Sequence, residues 1–208
     1  LAAMQGVFAH EVGHADHSDS MDPSLKGTFG TAARLLEEIR MEARRIEDRP
    51  ADAKWLRAAA RRLILDEMED EINSKWAAAQ VAVLTEGRVA AGSLKASDVE
   101  GVTEILEDLF PADELAELRS IMLDATAVLD GDVEAMNSVA ERLTILFPPE
   151  ADEDGVAGLG GSLAAAVISA GESIESDAAE DLADSAEGDE LEDLAEDVAD
   201  DPEGREGE

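Results

Sequence analysis

The chain of 208 residues contains no cysteine and no tyrosine, and aromatic residues make up only 3% of it. Without cysteine it has no disulfide, no thiolate metal site and no cysteine nucleophile. Basic residues are also scarce, because 16 Lys and Arg stand against 51 Asp and Glu, which gives a formal net charge of -35. A chain this acidic repels phosphate backbones, so we expect neither nucleic acid nor a membrane as a partner.

Long apolar runs are missing as well. No stretch of about 18 or more apolar residues occurs, so the sequence predicts no membrane span. The lack of cysteine fits a cytoplasmic protein, and we predict that location.

Apolar residues nevertheless make up 45% of the chain, and most of them are Ala, Leu and Val. Ala and Leu favour helix, and few segments show the β-branched alternation that is typical of strands. We therefore predict an all-α, multi-helix domain. The predicted helices cover about residues 2–15, 32–48, 50–64, 73–87, 99–110, 112–129 and 133–147.

The character of the chain changes after Pro149. Residues 155–161 are rich in glycine, and the stretch from Asp177 to Glu208 contains 16 acidic residues and a single base, Arg205. Such a run repels itself and has little to bury, so we expect disorder. We predict a helical domain over residues 1–149 and a Gly-rich, then disordered acidic linker or tail over 150–208. Because the chain opens inside a predicted helix, we also expect that an N-terminal part is missing.

All three histidines lie between positions 10 and 17, and two belong to the sequence His10-Glu11-Val12-Gly13-His14. On a helix, residues four apart project from one face, so these two imidazoles can reach one zinc ion. Glu11 is placed to take a proton from a zinc-bound water and to pass it to a leaving amine. We predict a Zn²⁺ site with His10 and His14 as ligands and Glu11 as the catalytic base.

The alternative is a surface helix whose histidines are solvated. The small or apolar neighbours of the motif favour the metal site. Gly13 does so too, because it removes a side chain beside His14, where substrate or a neighbouring backbone can approach. His17 shares the face with the other two, but about 10 Å of helix axis separate it from His10, which is too far for one zinc ion. We expect His17 to support the site, to face substrate or to lie at the surface.

A glutamate of the second helix is the expected third ligand. At about 100° per residue, Leu35 and Ile39 mark the apolar face, Glu42 lies at its edge and Glu38 one turn earlier on the same side. A buried carboxylate is costly unless it is paired or bound to metal. We predict Glu38 or Glu42 as the ligand and the other as a hydrogen-bond partner of a ligand histidine. The alternative is a buried salt bridge of Glu42 with an arginine of the same helix or the next one. Glu37 is expected on the far side, solvated or paired with arginine.

The two helices together resemble a group of zinc metallopeptidase domains that are similar to gluzincins. These domains are often attached to von Willebrand factor A modules, as in cobalt-chelatase-subunit-like proteins. Their pattern is an HExxH helix followed by a helix of the form leucine-glutamate-acid-x-arginine-x-glutamate, which is matched by residues 10–14 and 36–42. Residues 54–63 resemble actinobacterial or phage members. The resemblance covers about residues 1–70.

This resemblance implies a zinc-dependent peptidase that acts on a peptide or protein substrate, with a von Willebrand factor A module or an AAA+ ATPase as a partner. It implies His10, His14 and either Glu38 or Glu42 as metal ligands, and Glu11 as the base. One departure is that gluzincin-like peptidases hold substrate on a strand before the HExxH helix, whereas this chain begins at that helix. The alternative function is a non-catalytic helical scaffold or interaction protein, chelatase- or ATPase-associated or a phage structural component, with a structural or vestigial metal site.

Overall fold

The computed structural model describes residues 1–18, 25–66, 68, 72 and 74–148. Over these residues the fold is all-α, as predicted, and it contains no strand. The α-helices are α1 (Ala2–His17), α2 (Gly27–Asp48), α3 (Ala53–Ala60), α4 (Lys75–Leu84), α5 (Glu86–Ala91), α6 (Glu100–Leu109), α7 (Ala112–Ala127) and α8 (Val133–Leu146). The predicted disordered tail over 150–208 lies outside the described residues.

Helix α2 begins five residues earlier than the sequence predicted, at Gly27 instead of Ala32. The prediction missed the first residues of α2 because they include Gly and Thr, which have a low helix propensity. Position 30 requires glycine, because an added Cβ would lie 2.5 Å from the carbonyl oxygen of Leu25 just before the helix.

Two other predicted helices are interrupted. The helix predicted from Pro50 opens with a 3₁₀ turn, continues as α3 and ends in a π-helical turn over Arg61–Leu65. The helix predicted over 73–87 is divided at Thr85, which has φ −111° and ψ −74° and donates its hydroxyl hydrogen to the carbonyl oxygen of Val81. Helix α5 begins after this break, and its residue Arg88 is fully buried.

Helix α2 is the centre of the domain and packs against α1, α4, α5, α7 and α8. Its apolar face is fully buried, with Leu36, Ile39 and Met41 all at 0% exposure. Because α2 is surrounded, several of its charged side chains are buried too, and each of them needs a partner. These buried charged residues are Glu37, Arg40, Glu42 and Arg45.

Helix α1 lies on α3 and α2 through its glycines. A Cβ at Gly6 would stand 1.9 Å from the carbonyl oxygen of Trp55, and one at Gly13 would stand 2.4 Å from the sulfur of Met41. We predicted from the sequence that Gly13 leaves room beside His14 for substrate or a neighbouring backbone. This was wrong, because the Met41 side chain fills that space. The contact brings α1 close enough to α2 for their side chains to meet. No described helix is long and apolar enough to cross a bilayer.

Candidate metal centre

His10 and His14, one turn apart on α1, face Glu38 on α2. Their Nε2 atoms lie 3.1 Å from each other. His10 Nε2 is 3.1 Å from Glu38 Oε2, and His14 Nε2 is 3.3 Å from Glu38 Oε1. Each residue therefore offers one ligand atom within 4.8 Å of the other two, and this group could hold a metal ion. We call these three residues the metal-ligand trio.

Glu42 lies on the opposite side of the His10 ring. Its Oε1 is 3.2 Å from His10 Nδ1, so it is not placed with the ligand atoms. Of the two glutamates that the sequence left open, Glu38 faces both rings, while Glu42 has the position of a hydrogen-bond partner of a ligand histidine. An additional role of Glu42 as a ligand is not supported by this geometry, because its carboxylate is already engaged by other side chains.

Those side chains are Arg88 on α5 and Ser93 just beyond it. Arg88 Nε donates to Glu42 Oε1 at 3.2 Å, and Ser93 Oγ donates to Glu42 Oε2. The alternative prediction for Glu42, a buried salt bridge with arginine, is correct for the kind of contact and stands alongside the contact with His10. The position of the arginine was wrong, because it was expected on the same helix or the next one and lies on α5. No local sequence pattern indicated Arg88 and Ser93, because they lie about fifty positions away from Glu42 and follow the break at Thr85.

The ring of His14 is also held through its Nδ1 atom, in this case by a hydroxyl group. Its Nδ1 is 3.0 Å from Ser18 Oγ, and Ser18 in turn donates its hydroxyl hydrogen to Glu37 Oε1 at 2.7 Å. The hydroxyl has one hydrogen and gives it to Glu37, so it accepts from His14 Nδ1–H. Ser18 was missed by the sequence reasoning, although its position four residues after His14 on the same helix could have indicated it.

The tautomers follow from these contacts and test whether a metal ion fits. Both Nδ1 atoms face acceptors, so in neutral rings both carry the hydrogen, and both Nε2 atoms turn a lone pair toward the Glu38 carboxylate. Glu38 Oε2 is buried and accepts no hydrogen bond. Three electron-pair donors that converge without a hydrogen repel each other unless a cation joins them. Two imidazole nitrogens and one carboxylate fit a divalent metal such as zinc.

In the metal-free chain, a proton on His10 Nε2 takes the place of that cation. Burial by itself would lower the pKa of His10, but the Glu38 and Glu42 carboxylates overcome this and raise it to about 9. Burial would raise the pKa of Glu38, yet its contacts with His10 and His14 hold that pKa well below the usual range. Burial likewise opposes ionisation of Glu42, and Arg88 and His10 lower its pKa. Both carboxylates are therefore anionic, and a metal ion competes with a proton for His10.

Two members of the trio are partly open to solvent. The side chain of His10 is 7% exposed, while those of His14 and Glu38 are 30% and 22% exposed. Glu11 is exposed and forms no hydrogen bond or ion pair with a described residue. Its predicted role as the catalytic base stays a prediction.

His17 is separate from the trio. It is buried, so the surface position expected as one of its alternatives is wrong. Its Nδ1 lies 3.0 Å from Asp130 Oδ2 and its Nε2 lies 3.6 Å from Asp48. Glu37 is also buried and is paired with Arg40, which was one of its two predicted environments.

Comparisons of this chain with protein-family models, with curated proteins and with solved structures gave no match. The chemistry assigned to the site therefore rests on the chain's own residues.

Proposed function

We propose that this chain is a zinc-dependent hydrolase of the metallopeptidase type, acting on a peptide or protein. One observation carries the proposal: His10, His14 and Glu38 converge from consecutive helices, with the Nδ1 atom of each histidine ring held by an acceptor. Three protein ligands are typical of catalytic zinc sites, whereas structural sites usually take four.

Each residue then has a defined task. A bound zinc ion supplies Lewis acidity to a carbonyl group and to water. His10, His14 and Glu38 would hold the ion. Glu42 and Ser18 hold the two rings in the tautomer that leaves Nε2 free, and Arg88 balances the charge of Glu42. The carboxylate of Glu11, one residue after His10 and exposed, takes a proton from water and returns it to the leaving amine. Substrate enters on the side where His14 and Glu38 are partly exposed.

Two measurements on the purified chain test this proposal. Metal analysis is expected to give about one zinc per chain for wild type, and loss of that zinc in His14→Ala. Incubation with a mixed peptide library is expected to show zinc-dependent cleavage that Glu11→Gln abolishes. Glu104→Gln is the matched control, because Glu104 is exposed on α6 and has no described partner. Zinc-loaded wild type that cleaves nothing would refute the peptidase proposal but leave the metal site standing.

A second candidate is a helical scaffold with a structural metal, working with a von Willebrand factor A module or an AAA+ ATPase. The observation that favours it is that the trio joins α1 to α2, so a bound ion would fasten two helices. In that case zinc removal lowers the melting temperature, and Glu11→Gln changes neither zinc content nor any activity.

A further inference from the structure

The two histidines of the trio are supported by different chemistry. His10 donates directly to a carboxylate, Glu42, which is itself paired with the buried Arg88. His14 donates to the neutral hydroxyl of Ser18, and this hydroxyl donates its own hydrogen to Glu37. The support of His14 therefore depends on whatever keeps Ser18 and Glu37 in place.

Glu37 is held by Arg40, three residues later on α2. The guanidinium donates from Nε to Glu37 Oε2 and from Nη2 to Glu37 Oε1, both at 2.7 Å. This two-point contact fixes the orientation of the Glu37 carboxylate. Both side chains are buried, so solvent does not compete for either group.

Arg40 is fixed in turn by two groups outside α2. Its Nη2 donates to the carbonyl oxygen of His17 at the end of α1, and its Nη1 donates to Asp130 Oδ1 in the loop between α7 and α8. The second oxygen of Asp130 accepts from His17 Nδ1 at 3.0 Å. Asp130 thus ties the α7–α8 loop to the last turn of α1, which carries His14 and is followed directly by Ser18.

We propose that Ser18 is the positioning residue of His14 and that Asp130, acting through Arg40 and Glu37, keeps Ser18 ready to accept. The inference rests on the proposed metal site and deepens it, because it makes a distant loop part of the metal centre. Without the Ser18 oxygen, the Nδ1–H tautomer of His14 loses its acceptor, and fewer molecules present the Nε2 lone pair. Loss of such a supporting contact weakens metal binding by about 10–100-fold.

Zinc affinity and the visible spectrum of the Co²⁺-substituted chain test this proposal. Zinc affinity is measured by competition with a chromophoric chelator. Ser18→Ala is expected to bind zinc about 10–100-fold more weakly and to change the ligand-field bands of Co²⁺. Ser18→Thr keeps a hydroxyl and is expected to restore both. Asp130→Asn is expected to weaken binding less than Ser18→Ala, since its neutral amide still accepts from one partner.

Matched controls are Ser97→Ala and Asp113→Asn, because both residues are exposed and their side chains form no hydrogen bond or ion pair with a described residue. Both are expected to bind zinc as wild type does. If Ser18→Ala binds zinc with wild-type affinity and an unchanged Co²⁺ spectrum, the positioning role is overturned while the metal site stands. If wild type itself binds neither metal, the proposed function fails, and this inference fails with it.

Discussion

His10 and His14 point the same ring nitrogen, Nε2, at each other across 3.1 Å. In neutral rings with both Nδ1 atoms protonated, this contact would join two lone pairs. A proton or a metal ion between the rings and the Glu38 carboxylate removes the repulsion. The metal-free and metal-bound states of the site are therefore expected to differ in the proton on His10.

The metal-free chain is expected to lose stability as pH rises. The pKa of His10 is raised from 6.5 to about 9 in the folded chain, so its stabilising effect is fully present below pH 6.5 and is lost as pH passes through about 9. A pKa shift of this size changes the free energy of unfolding by about 3 kcal/mol. Urea unfolding of the chelator-treated chain between about pH 6 and pH 9.5 measures it. The matched variant is His10→Gln, in which the free energy of unfolding should depend less on pH. An unchanged dependence on pH would contradict the assignment to His10.

Glu38 and Glu42 should respond differently to the same substitution. Glu38→Gln removes the anion from the trio and is expected to lower zinc affinity by more than about 100-fold, whereas Glu42→Gln only weakens the support of His10, by about 10–100-fold. Chelator competition measures both, with Glu104→Gln as the control. A larger loss in Glu42→Gln than in Glu38→Gln would mean that the ligand has been assigned to the wrong glutamate.

Arg88 is expected to matter more for stability than an exposed arginine with as many ion pairs. Arg88→Met removes the guanidinium from the buried Glu42 carboxylate and leaves His10 as its remaining cationic partner. Breaking a buried ion pair in this way costs about 3–5 kcal/mol. Arg142 pairs with Glu117 and Asp124 at the surface, so Arg142→Met should cost less than about 1 kcal/mol. Urea unfolding at neutral pH compares the two variants, and equal losses would count against the buried charge network.

The packing of α1 predicts a contrast between two glycines. Gly6→Ala would place a methyl group 1.9 Å from the backbone oxygen of Trp55, so α1 must move away from α3. Overpacking of this kind costs about 1–3 kcal/mol or more. Gly101 on α6 has no neighbour within 4 Å of an added Cβ, so Gly101→Ala should be neutral or stabilising by up to about 1 kcal/mol. Thermal unfolding distinguishes them, and a tolerated Gly6→Ala would show that the close approach of α1 is not needed.

The sequence predicted the all-α class and the elements that carry the site, because both follow from local patterns. The spacing of His10 and His14 is fixed by the helix itself. Glu38 and Glu42 could not be distinguished, since both lie on one side of α2 and only the packing of α1 decides which one faces the rings.

The parts that the sequence missed depend on long-range packing. Arg88 and Ser93 reach Glu42 because the chain turns at Thr85 and again at Gly92, which has φ +87°. Asp130 meets His17 from a loop 113 positions away. Neither contact has a periodic signal, so local patterns cannot reveal them.

Anomalous diffraction from crystals of the zinc-loaded chain, recorded above and below the zinc absorption edge, tests the central claim most directly. We expect one strong peak between α1 and α2, about 2.0–2.2 Å from His10 Nε2, His14 Nε2 and a Glu38 oxygen. A chain that takes up no zinc under these conditions, or a peak that lies away from these three side chains, would contradict the account.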